Sequence, residues 1–209
     1  MKQITIIDYG SGNVLSAQQS FMKVIEHSNM NANVIISNDI GEIKKSSYLV
    51  LPGQGAFKTC INGIKKIPGL HDEILEFVLN KKNPFLGICV GMQMLATDSE
   101  ENGMHKGLGL IDGHIKKLPN KNLKMPHMGW NDVIPTNNNS ISILNNKNDF
   151  YFVHSYYFDC NIKENILAET LYGITFPSIV GKENIYGVQF HPEKSSSQGL
   201  NLLKKFVNI

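Results

Sequence analysis

The sequence predicts an α/β fold, a mostly parallel sheet with crossover helices. Short apolar runs alternate with helically spaced ones, and each stops at a turn signal. One run, Pro84 to Ile88, is apolar almost throughout, as a strand covered on both faces should be. In order, Ile4 to Asp8 reads as the first strand and stops at Tyr9-Gly10-Ser11-Gly12-Asn13. Val14 to Ile25 follows as a helix, with Val14, Leu15, Phe21, Val24 and Ile25 at roughly helical spacing. Asn33 to Ser37 and Tyr48 to Leu51 are the second and third strands, the latter closed by Pro52-Gly53. Ile74 to Leu79 reads as a helix, Pro84 to Ile88 as the fourth strand, and Met92 to Ala96 as the helix after it.

Past about residue 107 the texture changes. Gly113 to Leu118, Phe150 to Val153, Ile166 to Thr170 and Ile185 to Phe190 are short β-branched and aromatic runs between Asn- and Gly-rich turns. They are expected to extend the same sheet in mixed or antiparallel fashion, with Gly199 to Phe206 as a last helix. Asn137-Asn138-Asn139 and Asn145-Asn146-Lys147-Asn148 read as exposed hairpin loops. No repeat or long linker divides the chain, so residues 1–209 are expected to form one domain.

With 18% charged residues and a formal charge of +2, charge gives no support to a nucleic-acid or membrane-surface role. The Lys81-Lys82 and Lys116-Lys117 pairs read as solvated surface. No apolar stretch is long enough for a membrane span, and the first residues do not read as a signal peptide, so a cytoplasmic location is expected. Cys60, Cys89 and Cys160 form no CxxC pair, so neither a disulfide framework nor a metal site is expected.

Cys89 stands apart, in Gly87-Ile88-Cys89-Val90-Gly91 at the junction of the fourth strand and a helix. G-x-C-x-G has the mechanics of a nucleophile elbow: a sharp turn strains the middle residue, and small neighbours leave it room. The helix start would aim backbone N–H groups at a developing oxyanion and favour the reactive thiolate. A buried packing cysteine remains the alternative, and it is the expected role of Cys60 and Cys160. A nucleophilic thiol needs a base, and the base needs an orienting group. His191-Pro192-Glu193, just past an apolar strand, supplies both if the extended chain points the two side chains the same way. His27, His71, His105 and His114 lack such an acid and read as surface residues.

Leu86-Gly87-Ile88-Cys89-Val90-Gly91-Met92-Gln93, Pro52-Gly53-Gln54-Gly55 and Gln189-Phe190-His191-Pro192-Glu193 together resemble the class I (triad) glutamine amidotransferases. Ile7 to Asn13, Pro126-His127-Met128-Gly129-Trp130-Asn131, Tyr151 to Tyr157 and His191 to Ser195 narrow the resemblance. They are similar to the glutaminase subunits of imidazole glycerol phosphate synthase, of histidine biosynthesis. The resemblance implies a flavodoxin-like fold with an antiparallel C-terminal extension. It also implies a heterodimer with a (β/α)8-barrel cyclase that receives ammonia, and no cofactor. Residue by residue, it makes Cys89 the nucleophile, His191 the base and Glu193 its orienter. Gly53, Gln54, Gly55 and Val90 would form the oxyanion hole, and Gln93, His154, Ser155 and Tyr156 would hold glutamine. Gln54 stands where the family more often has valine, and Val90 where leucine is common.

Tyr9-Gly10-Ser11-Gly12-Asn13 could also be a phosphate loop, but it lacks the full glycine spacing and the lysine. A tight turn with Asn13 capping the helix, or Asn13 facing the partner, remain the two readings. Trp130 reads either as core or as interface, and Lys182 as a turn lysine or an interface contact. Other functions stay open: a paralogous subunit feeding a sugar amidotransferase for surface polysaccharide, a non-catalytic scaffold, or a Cys-His peptidase.

Overall fold

The computed structural model describes residues 1–119, 123–136 and 146–209. In chain order the elements begin with β1 (Lys2–Ile7), α1 (Val14–Ser28), β2 (Ala32–Ser37), α2 (Ile40–Lys45), β3 (Tyr48–Gly53), α3 (Phe57–Lys66) and α4 (Leu70–Leu75). A π-helical turn, Glu76–Asn80, leads to β4 (Phe85–Cys89) and α5 (Val90–Gln93). Then come β5 (Asp98–Ser99), β6 (His105–Lys106), β7 (Gly113–Lys117), β8 (His127–Pro135), β9 (Asn148–His154) and β10 (Tyr156–Cys160). The chain closes with β11 (Ile166–Tyr172), β12 (Ile174–Lys182), β13 (Ile185–Val188) and α6 (Ser196–Phe206).

The main sheet runs β2-β1-β3-β4-β13-β12-β11-β8-β9, parallel from β2 to β13 and antiparallel beyond. The predicted parallel half and its antiparallel extension are both present. Its core strands bury every residue from Tyr48 to Gly53 and from Phe85 to Cys89, which is why they read as continuous apolar runs. Order 2-1-3-4 places a topological switch between β1 and β3, and open α/β sheets build sites outside the carboxyl ends of the strands there.

Several local expectations are corrected. Gly113 to Leu118 does not extend the main sheet: β7 joins β10, β5 and β6 in a second, four-stranded sheet. The helix expected at Ile74 to Leu79 starts earlier, at Leu70, and relaxes into the π turn. The helix expected at Met92 to Ala96 instead starts at Val90 and stops at Gln93. Carbonyls of Met94, Leu95 and Ala96 are taken by N–H groups of Leu108, Gly109, Leu110 and Ile111, so the chain turns away. Asn13 occupies the N-cap position of α1, but its side chain makes no capping bond. Trp130 lies in strand β8 and is half exposed rather than in the core. Of the two Asn-rich stretches, 137–139 and Asn145 lie outside the described residues, and Asn148 already belongs to β9. His114 has an acid after all, its Nδ1 2.7 Å from Asp98, and His71 lies 3.1 Å from the neighbouring Asp72. None of the described helices is long and apolar enough to cross a membrane.

The turn from β4 into α5 rests on backbone contact that side chains would block. A Cβ on Gly91 would sit 1.8 Å from the Leu51 carbonyl oxygen, and one on Gly87 would sit 2.5 Å from that of Gly91. Gly91→Ala is therefore expected to cost more than about 3 kcal/mol, or to prevent folding, since rigid backbone cannot yield as a side chain does. A thermal unfolding midpoint within about 2 °C of the parent would contradict that packing.

Candidate active site

Cys89 ends β4 with φ 56° and ψ −112°, a strained combination for a residue with a side chain. It is 4% exposed and lines a cavity of about 240 Å³ outside the carboxyl ends of β3 and β4. Its sulfur lies 3.9 Å from the Val153 carbonyl oxygen and 3.8 Å from Nε2 of Gln189.

His191 enters the same cavity from beyond β13. Its Nδ1 lies 2.8 Å from Oε1 of Glu193, and both side chains are almost fully buried. The sequence expectation of an extended His-x-Glu segment is corrected here: Pro192–Lys194 is a 3₁₀ turn. The turn folds Glu193 back under the ring. Nε2 of His191 is buried without a hydrogen-bond partner. Burial disfavours its imidazolium, but its neighbours Cys89 and Glu193 outweigh that and raise the pKa to about 10. Cys89, His191 and Glu193 are thus one cluster, although 104 residues separate its ends.

The loop after β3 forms the opposite wall, where Gln54 and Gly55 line the cavity with Val90. Gly53 packs behind them, because a Cβ there would lie 2.6 Å from the Gly91 nitrogen. The loop is tied to the β1–α1 turn: the Tyr9 hydroxyl donates to the Pro52 carbonyl at 2.7 Å, and the Ser11 hydroxyl to that of Gln54 at 2.6 Å. Cys60, fully buried, adds a weak S–H contact to the same Gln54 carbonyl at 3.5 Å. The Tyr9-to-Asn13 turn therefore braces a neighbouring loop. Glu101, absent from the sequence-based site, closes the loop's far end by accepting the Phe57 N–H at 2.7 Å. Glu101 and Lys194 also line the cavity, and neither had an elbow or triad signal to mark it.

Gln93, His154, Ser155 and Tyr156 all reach the cavity. Nε2 of Gln93 donates to the Tyr156 carbonyl and to Oε1 of Gln189, both at 3.0 Å. The Tyr156 carbonyl also receives Nδ1 of His154 at 2.8 Å. That carbonyl can only accept, so His154 carries its proton on Nδ1 and its Nε2 accepts from Nδ1 of His127, 2.9 Å away. Nε2 of His127 in turn accepts from Asn131 at 3.1 Å. Burial lowers the pKa of His127 to about 4 and that of His154 to about 3, so both rings are neutral, His127 stacked between Phe152 and Tyr172 and His154 edge-on to Phe176.

The candidate interface residues are not brought together. Asn13 follows β1 at the cavity end of the strands. Trp130 packs on Tyr151, with ring centroids 6.3 Å apart, and Lys194 Nζ lies 6.0 Å from the same Tyr151 ring. Lys182 pairs with Ile185, whose neighbour Phe85 is four residues before Cys89 along β4, at the other end of the strands.

Known proteins resemble the chain in fold and in sequence. The solved structure of a glutamine amidotransferase superposes with a TM-score of 0.71 at 16% identity, covering 98% of this chain and 97% of that one. A glutamine amidotransferase from Thermotoga maritima gives 0.61 at 19% identity, covering 99% and 83%. Both likenesses speak to the fold. A curated relative from Pelagibacter ubique, named imidazole glycerol phosphate synthase subunit HisH, is 42% identical over 99% of both chains. One from Methanococcus maripaludis, named subunit HisH 2 of the same synthase, is 46% identical over 98% of both. The family model described as Glutamine amidotransferase class-I matches residues 5–209. With its strained cysteine, paired imidazole and brace of glycine-rich loops, the chain belongs to the class-I glutamine amidotransferase family.

Proposed function

We propose that this chain is the glutaminase subunit of an imidazole glycerol phosphate synthase in histidine biosynthesis. One observation carries the chemistry: a buried imidazole held on one nitrogen by a carboxylate, its other nitrogen unpartnered, in the cavity that holds a strained cysteine. A buried polar atom without a partner is costly unless a function uses it. In this reading the Cys89 sulfur attacks the amide carbon of glutamine, and the carbonyl oxygen becomes an oxyanion. N–H groups of Val90 and of the Gly53-Gln54-Gly55 loop receive that charge. His191, charged beside the thiolate, passes its proton to the departing ammonia, and Glu193 holds the ring throughout. Water then adds to the thioester, with His191 now taking a proton, and glutamate leaves.

The cavity is smaller than those that hold drug-sized ligands, which suits one amino acid better than a peptide. Gln93, His154, Ser155 and Tyr156 would hold the glutamine. The full-length likeness to subunits named for this synthase supports a (β/α)8-barrel cyclase as the partner in a heterodimer. Asn13, which follows β1 at the cavity end of the strands, would meet it, as would the half-exposed Trp130, whereas Lys182 lies at the other end of the strands. Free thiols at Cys60, Cys89 and Cys160 suit a reducing cytoplasm.

Glutaminase activity is expected to rise when the cyclase subunit is added. Stimulation by a sugar amidotransferase instead, with none by the cyclase, would move the chain to the polysaccharide reading. Cys89→Ala is expected to keep the fold by circular dichroism and to lower glutamine hydrolysis by about 10⁴- to 10⁶-fold. Activity within tenfold of the parent would remove Cys89 from the nucleophile role. Glu193→Gln removes a group that raises the His191 pKa, so the alkaline limb of the kcat/KM profile should move to lower pH, with activity down about 100- to 10,000-fold. An alkaline limb that stays in place would count against the pairing.

A further inference from the structure

Gln189 is a polar side chain at the end of the apolar strand β13, fully buried beside Phe190. An amide in such a place is costly unless both its ends are bonded. Here they are, and the bonds fix its direction. The Tyr156 carbonyl can only accept, so the Gln93 atom facing it is the NH₂ group. The Gln189 atom facing that same NH₂ is then its oxygen, 3.0 Å away. The remaining end of Gln189 is therefore an NH₂, and it lies 3.8 Å from the sulfur of Cys89. One backbone carbonyl thus dictates, through two amides, that a donor and not an acceptor meets the thiol.

The backbone around Gln189 is built for this placement. β12 bulges at Ser178, an extra residue without a partner on β11 between Ile179, opposite Ala168, and Pro177, opposite Glu169. On the other side, the Ser178 carbonyl takes the Gln189 N–H at 2.9 Å, carrying the β12–β13 register one pair past Ile179 and Val188 and anchoring the residue just beyond β13. Gln189 is fully buried behind the cavity wall, with its amide directed at Gln93 and the Cys89 sulfur.

We propose that Gln189 is a positioning residue that holds the Cys89 sulfur and favours its thiolate by donating an N–H to it, aimed by Gln93 and the Tyr156 carbonyl. This rests on the reading of Cys89 as nucleophile and adds a group to it. The other titratable groups acting on the sulfur are His191 with Glu193 beyond β13 and Tyr9 from the β1–α1 turn, while His154 from β9 and Tyr156 from β10 share the cavity with it. Glu101 and Lys194 share the cavity. Of these, His191 acts from the ring side, so the amide contribution is separable by leaving the imidazole in place.

The test follows the rate of Cys89 alkylation by iodoacetamide against pH in the full chain, read by mass spectrometry of the Cys89 peptide. Gln189→Met keeps the volume and removes the donor, so the midpoint should rise by about 0.5 to 1.5 pH units, with a rate about 3- to 30-fold lower below the midpoint. Gln189→Glu is nearly isosteric and keeps the measurement available if the apolar variant does not fold. Its carboxylate should raise the midpoint at least as far. Midpoints unchanged in both folded variants, with wild-type Cys89 reactive, would overturn the role of Gln189 alone. A wild-type Cys89 inert at every pH would overturn the nucleophile reading and this proposal with it.

Discussion

The site depends on how closely two stretches of backbone cross. Where β4 turns into α5, Gly87, Gly91 and Gly53 let main chain touch main chain with no side chain between. That contact forces Cys89 to φ 56° and keeps its sulfur at the cavity wall, at a strain cost of about 1 to 3 kcal/mol. The same crossing registers Gly53 beside Cys89, so the loop after β3 cannot drift away from the thiol. Every later feature of the site assumes this fixed distance.

Around that crossing the polar groups are organised from the backbone outward. The Tyr156 carbonyl is the common acceptor of Gln93 and His154, and it sets the direction of two hydrogen-bond chains. One leads to the sulfur, and the other runs through His127 to Asn131. The hydroxyls of Tyr9 and Ser11 do similar work for the loop opposite, gripping the carbonyls of Pro52 and Gln54. Side chains here mostly orient peptide groups and each other.

The parallel half was legible because strands buried on both faces leave uninterrupted apolar runs, as in Phe85 to Cys89. The elbow and the His-x-Glu pair were legible because their chemistry demands particular residues at short spacing. What escaped depends on distant partners. α3 went unassigned because Ala56 offers no capping group, and the cap is the carboxylate of Glu101, 44 residues on. β12 was hidden by Pro177, which a bulge accommodates. Gly113 to Lys117 looked like any other strand, and nothing local says it pairs with Tyr156 to Cys160 in a separate sheet. Gln189 entered the sequence reading only as part of the stretch ending in Glu193, and its own role shows once Gln93 and Cys89 are seen on either side of it.

The two uncharged imidazoles at the heart of the aromatic cluster carry a consequence for the protein's life in acid. An unfolded chain would protonate both below about pH 6.5, whereas the folded one resists until about 4 and 3. Their contribution to folding is complete in neutral surroundings and drains away as the medium sours through that interval. Mild acidification would therefore loosen the scaffold while the imidazole beside the thiol still held its proton. In a souring cell, fold and activity would fail together, through two rings that stand outside the triad.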